Sequence, residues 1–115
     1  METSRTEMFH KLLQKDPDNP MILCSLGIEL FKEKNYPEAR IHLERAVRNK
    51  PDYSVAYRML GRTLYELHDD AEARKTFDEG RDVALKNGDL QTVKEIDVFS
   101  RRLEKRERGE DVLGE

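Results

Sequence analysis

The chain has 115 residues, room for one domain and one continuous core. Hydrophobic residues make up 37% and charged residues 39%, a mixture too apolar for a disordered chain and suited to a thin helical protein with much surface per residue. With 21 basic and 24 acidic residues the net charge is −3, which gives no electrostatic footprint for nucleic acid and no general attraction to an anionic membrane. A single cysteine, Cys24, excludes an intramolecular disulfide and a multi-cysteine metal site. Met1 to Glu7 has no apolar stretch of the kind a secretory signal needs, and the apolar run Met21–Leu26 is too short to span a bilayer. A soluble, cytoplasmic chain is the expectation.

The first predicted element is a helix over residues 4–15, with Ser4 and Glu7 spaced as a capping box. Pro17 to Pro20 stops it and starts the next: Asn19 is a capping residue and Pro20 falls in the first turn, where its missing N–H is harmless. A hairpin of helices follows over 20–33 and 37–49, with Pro37 opening the second. Another spans 54–67 and 70–86, opened by Pro51–Ser54 and by Asp69 or Asp70. Apolar residues recur at helical spacing in each first helix: Leu23, Leu26, Leu30, then Tyr57, Leu60, Leu64. Asn87-Gly88 ends the last of these, and Asp89 caps a helix to about residue 107 with an apolar face of Leu90, Val93, Ile96, Phe99 and Leu103. Residues 109–115 read as a flexible tail.

These elements repeat. A shift of 34 residues lays Leu26-Gly27 on Leu60-Gly61, Leu30 on Leu64, Ala39 on Ala73, Leu43 on Phe77 and Ala46 on Gly80. Backwards, Phe9 precedes Leu43, Leu12 precedes Ala46 and Pro17 precedes Pro51. Small residues stand where paired helices must approach, and the pattern places Gly27 against Ala39 and Gly61 against Ala73. Gly80 inside a helix implies close approach of the following helix.

On these residues the chain resembles the tetratricopeptide-repeat (TPR) family, whose pattern runs Trp-x2-Leu-Gly-x2-Tyr, then Ala-x3-Phe, then Pro. Leu23 and Tyr57 replace the Trp, Leu30 and Leu64 replace the Tyr, and Leu85 occupies the place of the closing proline. The resemblance implies an all-α fold: a right-handed α-α superhelix of two full helical hairpins flanked by an N-terminal helix and a C-terminal capping helix. The implied organisation is one domain over 1–108, with repeats at 20–53 and 54–87 and a capping helix at 89–107, where Lys94 and Glu95 stand in the Leu-Gly places. Residues 5–17 look like the second helix of a repeat, either a simple cap or the end of a longer protein.

The resemblance also implies a function: a non-catalytic scaffold that binds a peptide or partner protein along the concave side, lined by the first helix of each repeat. Counting from the Leu-Gly pairs, the groove residues are Met21, Cys24, Ile28, Phe31 and Lys32, then Val55, Arg58, Arg62, Tyr65 and Glu66, with Thr92, Ile96 and Phe99 from the capping helix. Arg58 and Arg62, four apart, suit a partner with an apolar side chain beside a carboxylate. The Lys/Asn clamp of the chaperone-binding subgroup is absent, because Cys24, Ser25 and Ile28 hold those positions.

Chemistry elsewhere is sparse. His10, His42 and His68 fall on different helical faces without convergent ligands, and Cys24 has no nearby activating histidine, so no catalysis, cofactor or metal is expected. Arg101–Arg108 reads as a solvated face, with Glu104 and Arg108 spaced as an i,i+4 pair and the positive charge offset by Glu110, Asp111 and Glu115. The expected partner is a protein or peptide, with no nucleic acid and no membrane, and the chain a monomer or weak homodimer. The alternative is a structural or oligomerisation module, or the C-terminal part of a larger assembly.

Overall fold

The structure, a computed structural model, describes residues 4–110. It contains six helices and, among the described residues, no strand: α1 (Arg5–Lys15), α2 (Pro20–Lys32), α3 (Tyr36–Asn49), α4 (Ser54–Glu66), α5 (Asp70–Asn87) and α6 (Leu90–Glu107). Each packs on its neighbour in sequence, and α2, α4 and α6 also stand side by side as one layer. The result is an elongated slab of 44 × 33 × 21 Å.

Local chemistry sets the helix ends. Ser4 Oγ accepts from the Glu7 amide at 3.1 Å, and Asn19 Oδ1 accepts from Met21 at 2.9 Å, with Pro20 at the first helical position. Asp89 accepts from the Thr92 amide at 3.1 Å and from the Ser54 hydroxyl at 2.6 Å, which ties the start of α6 to the start of α4. The two turns inside the hairpins are copies of one another. Lys34 and His68 both adopt left-handed backbone (φ 63 and 59), and the next amides, Asn35 and Asp69, reach back to Leu30 and Leu64 carbonyls. Gly88 (φ 71) closes α5. Gly109 (φ 75) and Glu110 close α6 by bonds to Arg106 and Lys105 carbonyls. The rest of the expected tail, residues 111–115, lies outside the described residues.

The core runs unbroken through the slab. Leu23, Leu26, Leu30, Leu43, Phe77, Ile96 and Leu103 are all at most 2% exposed, and each such side chain contributes about 1.5–3 kcal/mol by leaving water. The glycines of the Leu-Gly pairs are seats for residues of the facing helix. A Cβ added to Gly27 would lie 2.5 Å from Leu43 Cγ, and one added to Gly61 would fall inside the Phe77 ring edge. This corrects the pairing of Gly27 with Ala39 and of Gly61 with Ala73. The larger residue one turn further along the second helix fills the seat, and the alanines are buried beside it. Gly80 accommodates two neighbours: its added Cβ would meet Tyr57 Cβ at 2.6 Å and Ile96 Cδ1 at 3.2 Å. It therefore serves its own hairpin as well as the following helix.

The repeat register also shifts. The helix-capping residues Asn19 and Tyr53 are 34 apart, but Tyr53 and Asp89 are 36 apart, because α5 has 18 residues where α3 has 14 while the turn after it, 88–89, is two residues shorter than 50–53. Ile96 and Asp97, not Lys94 and Glu95, thus occupy the Leu-Gly places of α6. Ile96 is fully buried as a repeat leucine would be, and Asp97 pairs with Arg81 at 2.8 Å.

Two measurements test this packing. Gly80→Ala gains roughly 1 kcal/mol of helix propensity but forces Tyr57 Cβ, an atom that cannot swing aside, out of contact. Overpacking costs about 1–3 kcal/mol, so urea denaturation should show a net loss of stability. His42 carries the second. Its side chain is 12% exposed, Nδ1 is buried without a hydrogen-bond partner, and Nε2 lies 3.8 Å from Glu38. Burial holds its pKa below the ordinary 6.5, against the pull of Glu38 and with help from His10 and Arg45. An imidazole depressed in the folded state stabilises the fold fully above 6.5 and loses that contribution as pH falls below it. Stability measured from pH 7 to 5 should fall more steeply in the parent than in His42→Gln.

Candidate groove formed by the first helices of the repeats

The eight groove residues expected from sequence, Met21, Cys24, Ile28, Phe31, Val55, Arg58, Arg62 and Tyr65, all lie on α2 and α4, but they do not share one environment. Met21 is open to solvent, 63% exposed, while Ile28, Phe31, Val55, Arg58, Arg62 and Tyr65 are half-buried. Cys24 does not line a groove. It is 1% exposed, buried in the core cluster against which Tyr53, from the turn before α4, packs. Burial raises the Cys24 pKa, with the Tyr53 hydrogen bond working the other way, and burial together with Cys24 pushes Tyr53 up to about 12.

Arg62 is the centre of what remains. Its guanidinium lies between two aromatic rings, 4.9 Å from the Phe31 centroid and 4.5 Å from the Phe99 centroid, so that α2, α4 and α6 meet through one cation. The rings are themselves fixed: Phe31 packs edge-on to Tyr36 at 5.3 Å, and Phe99 lies against Phe77 and Tyr65, both at 6.3 Å. Burial, then neighbouring Arg58, lowers the Arg62 pKa from its ordinary value. Its Nε is buried without a partner, and no carboxylate among the described residues forms an ion pair with it.

Arg58 is in a different state. It pairs with Glu95 of α6 at 2.8 Å, the two side chains 21% and 35% exposed. The two arginines are thus not equivalent, although both sit one turn apart on one helix face. Glu95 pairs with Arg58, whose own Nε is also buried without a partner, whereas Arg62 has its aromatic faces and only the field of Glu66 and Glu95, with no ion pair.

Part of the site was not legible in the sequence. Glu95 was assigned to a degenerate Leu-Gly place, and Arg101–Arg108 to a solvated face. In the structure Arg102 stacks on Phe99 at 4.8 Å, while Arg106 covers the Tyr65 ring at 3.8 Å, donates to the Tyr65 carbonyl at 2.9 Å and pairs with Asp70. The spacing Phe99, Arg102, Arg106 is that of one helical stripe, a signal masked by the alternating charges around it. Lys32 and Glu66 lie at the edge: Lys32 pairs with Glu29 at 3.1 Å, and Glu66 is exposed. Thr92 and Ile96 are buried in the helix packing and unavailable to a partner.

Among the described residues no three His, Cys, Asp or Glu side chains are placed to hold a metal ion, and no helix is long and apolar enough to cross a membrane.

The tetratricopeptide-repeat family model matches residues 30–95. The TPR repeat-containing protein PA0015 of Pseudomonas aeruginosa is 33% identical over 99 residues, covering 86% of this chain and 94% of that one. Among solved structures, protein BPP2914 of Bordetella parapertussis superposes with a TM-score of 0.79 at 35% identity over 91% of both chains. The TPR2B domain of yeast Sti1, in its pHsp70 complex, superposes with 0.84 at 18% identity over 88% of this chain and 81% of that one, a likeness of fold.

The burial of Cys24 gives a direct check. A thiol buried in the core and raised in pKa should react with an aromatic disulfide reagent only as the chain unfolds. The labelling rate in native buffer should therefore rise with urea in step with loss of helicity.

Proposed function

The chain belongs to the tetratricopeptide-repeat family, a right-handed α-α superhelix of stacked hairpins, and on that premise we propose that it is a non-catalytic interaction module binding a segment of a partner protein across α2, α4 and α6. The single observation that carries this reading is Arg62. A guanidinium held between Phe31 and Phe99 is already positioned and partly desolvated, yet it forms no ion pair with a carboxylate among the described residues. Such a group offers a carboxylate a strong, geometrically fixed contact, and the rings beside it accept an adjacent apolar side chain. Arg58, engaged by Glu95, contributes field and not a free donor fork. The partner segment is one that pairs an acidic residue with an apolar one. The chaperone tails bound by one subgroup of the family are not the expected partner, since Cys24 is buried and Ser25 and Ile28 supply no clamp.

The test uses a partner obtained by affinity capture from the source cell, then titration calorimetry with the purified pair. Losing a hydrogen bond to a charged group costs about 1.5–3 kcal/mol, so Arg62→Ala should weaken binding by roughly tenfold or more. Arg62→Lys should not rescue it, because an ammonium does not stack between rings as a planar guanidinium does. Glu95→Gln, which releases Arg58, should leave affinity unchanged or raise it. Undiminished binding by a folded Arg62→Ala variant would move the partner to another face.

A further inference from the structure

The groove counted from the Leu-Gly pairs draws on first helices and the capping helix, yet a residue of a second helix reaches it. Tyr36 opens α3, just after the turn from α2, and its ring packs edge-on to Phe31 with centroids 5.3 Å apart. The same Phe31 ring carries the Arg62 guanidinium 4.9 Å from its centroid. One ring therefore brings a phenol from α3 and a cation from α4 to the same place. Tyr36 is half-buried, and its hydroxyl makes no hydrogen bond among the described residues.

Electrostatics place that hydroxyl further. Its pKa lies above the ordinary 10, first through burial, then through the Glu66 carboxylate, and against the pull of Arg62. Arg62 in turn feels Glu66. Phenol, guanidinium and carboxylate are thus within electrostatic reach of one another, yet no hydrogen bond or ion pair joins any two of them. Glu66 stands one turn beyond Arg62, the spacing of a helical ion pair. The pair does not form, because Arg62 lies against the rings and Glu66 is left exposed.

We propose that Tyr36 and Arg62 form a two-donor subsite for a carboxylate side chain of the partner segment, one oxygen accepting from the guanidinium and the other from the phenol O–H. This rests on the groove reading above and adds to it a residue of α3. A carboxylate fits because both its oxygens accept. An amide of the same shape would turn its NH2 toward one of the two donors and leave that donor unmatched. A phosphate dianion is disfavoured, since Glu66 repels a double charge about twice as strongly as a single one. Phe31 already positions both donors, so little ordering is left to the binding step.

Two blocked dipeptides, N-acetyl-Leu-Glu-amide and N-acetyl-Leu-Gln-amide, differ only in the charged group and serve as probes. Each is titrated at constant ionic strength to about 50 mM, a range suited to weak ligands, into the full chain labelled with 15N and with 13C at tyrosine Cζ. The Glu probe should shift the Arg62 Nε–H and Tyr36 Cζ resonances saturably, with the Gln probe weaker by roughly tenfold. Tyr36→Phe keeps the ring on Phe31 and removes only the hydroxyl. It should weaken the Glu probe by roughly threefold to tenfold and narrow the gap between the probes. Glu66→Gln removes a negative charge that acts on both donors and should tighten the Glu probe. In a chain carrying 3-fluorotyrosine, whose phenol titrates at milder pH, bound Glu probe should move the Tyr36 titration upward, because an acceptor on the phenol opposes loss of its proton. A residue that merely supports Phe31 gives no such response. A parent that ignores the Glu probe or binds both probes equally would overturn the proposal. So would a Tyr36→Phe variant that binds the Glu probe as the parent does. If that variant is indifferent while Arg62→Ala loses the probe, the groove reading stands without Tyr36. If Arg62→Ala also binds undiminished, the groove reading falls with it.

Discussion

Every hairpin in this molecule depends on a place where one helix surrenders a side chain so that its neighbour can keep a large one. Gly27 receives Leu43, Gly61 receives Phe77, and Gly80 lies under Tyr57 and Ile96. A glycine inside a helix costs about 1 kcal/mol in propensity. That cost is offset because the residue it admits is at most 1% exposed for Leu43 and Phe77, and because the two helix axes close without a void between them. The seats also fix rotation: a helix that turned about its axis would present a Cβ to the incoming ring. From this one constraint follow the antiparallel hairpins, the copied left-handed turns at Lys34 and His68, and the layer in which α2, α4 and α6 stand abreast.

That layer then sets the electrostatics. Long cationic side chains on neighbouring first helices are forced together at the spacing of packed helices, and aromatic faces absorb them. Phe31 and Phe99 hold Arg62, Phe99 also holds Arg102, and Tyr65 holds Arg106. Stacking satisfies the flat face of a guanidinium and leaves its N–H edge to be answered separately. Glu95 answers Arg58, and Asp70 with the Tyr65 carbonyl answers Arg106. At Arg62 the pattern stays open: it stacks between two rings without an ion pair among the described residues.

The ends of the slab are the places where a hairpin partner is missing. At α6 the glycine seat is gone: Asp97 and its partner Arg81 stand there, and the exposed side of the helix mixes Lys94 and Arg101 with the apolar Leu90 and Val98. At α1 the register of an internal helix persists, with Phe9 half-buried under Arg5 and with Met8 and Leu12 partly open. Both terminal helices thus keep apolar side chains open between basic residues, Met8 and Leu12 on α1, Leu90 and Val98 on α6.

The number and order of the helices and most of the core were legible in the sequence, because the 34-residue repeat, the proline and asparagine punctuation and the spacing of Leu23, Leu26 and Leu30 are local properties that survive in any context; Leu90, placed on the apolar face of α6, is instead exposed, since it stands in the first turn of the last helix. The special status of the glycines was legible too, though not their partners. Leu43 and Phe77 reach the seats because of how far the second helix slides along the first, and that offset belongs to the packed pair. The longer α5 and the shorter turn after it moved the register of α6 by two residues and brought Glu95 to Arg58, a consequence that counting by 34 concealed. Tyr53 meeting Cys24, and the separation of Arg58 from Arg62 into a paired and an open arginine, arise from side chains tens of residues apart in sequence. Repetition fixes what each helix is, whereas the tertiary contacts decide which of its polar groups are already answered.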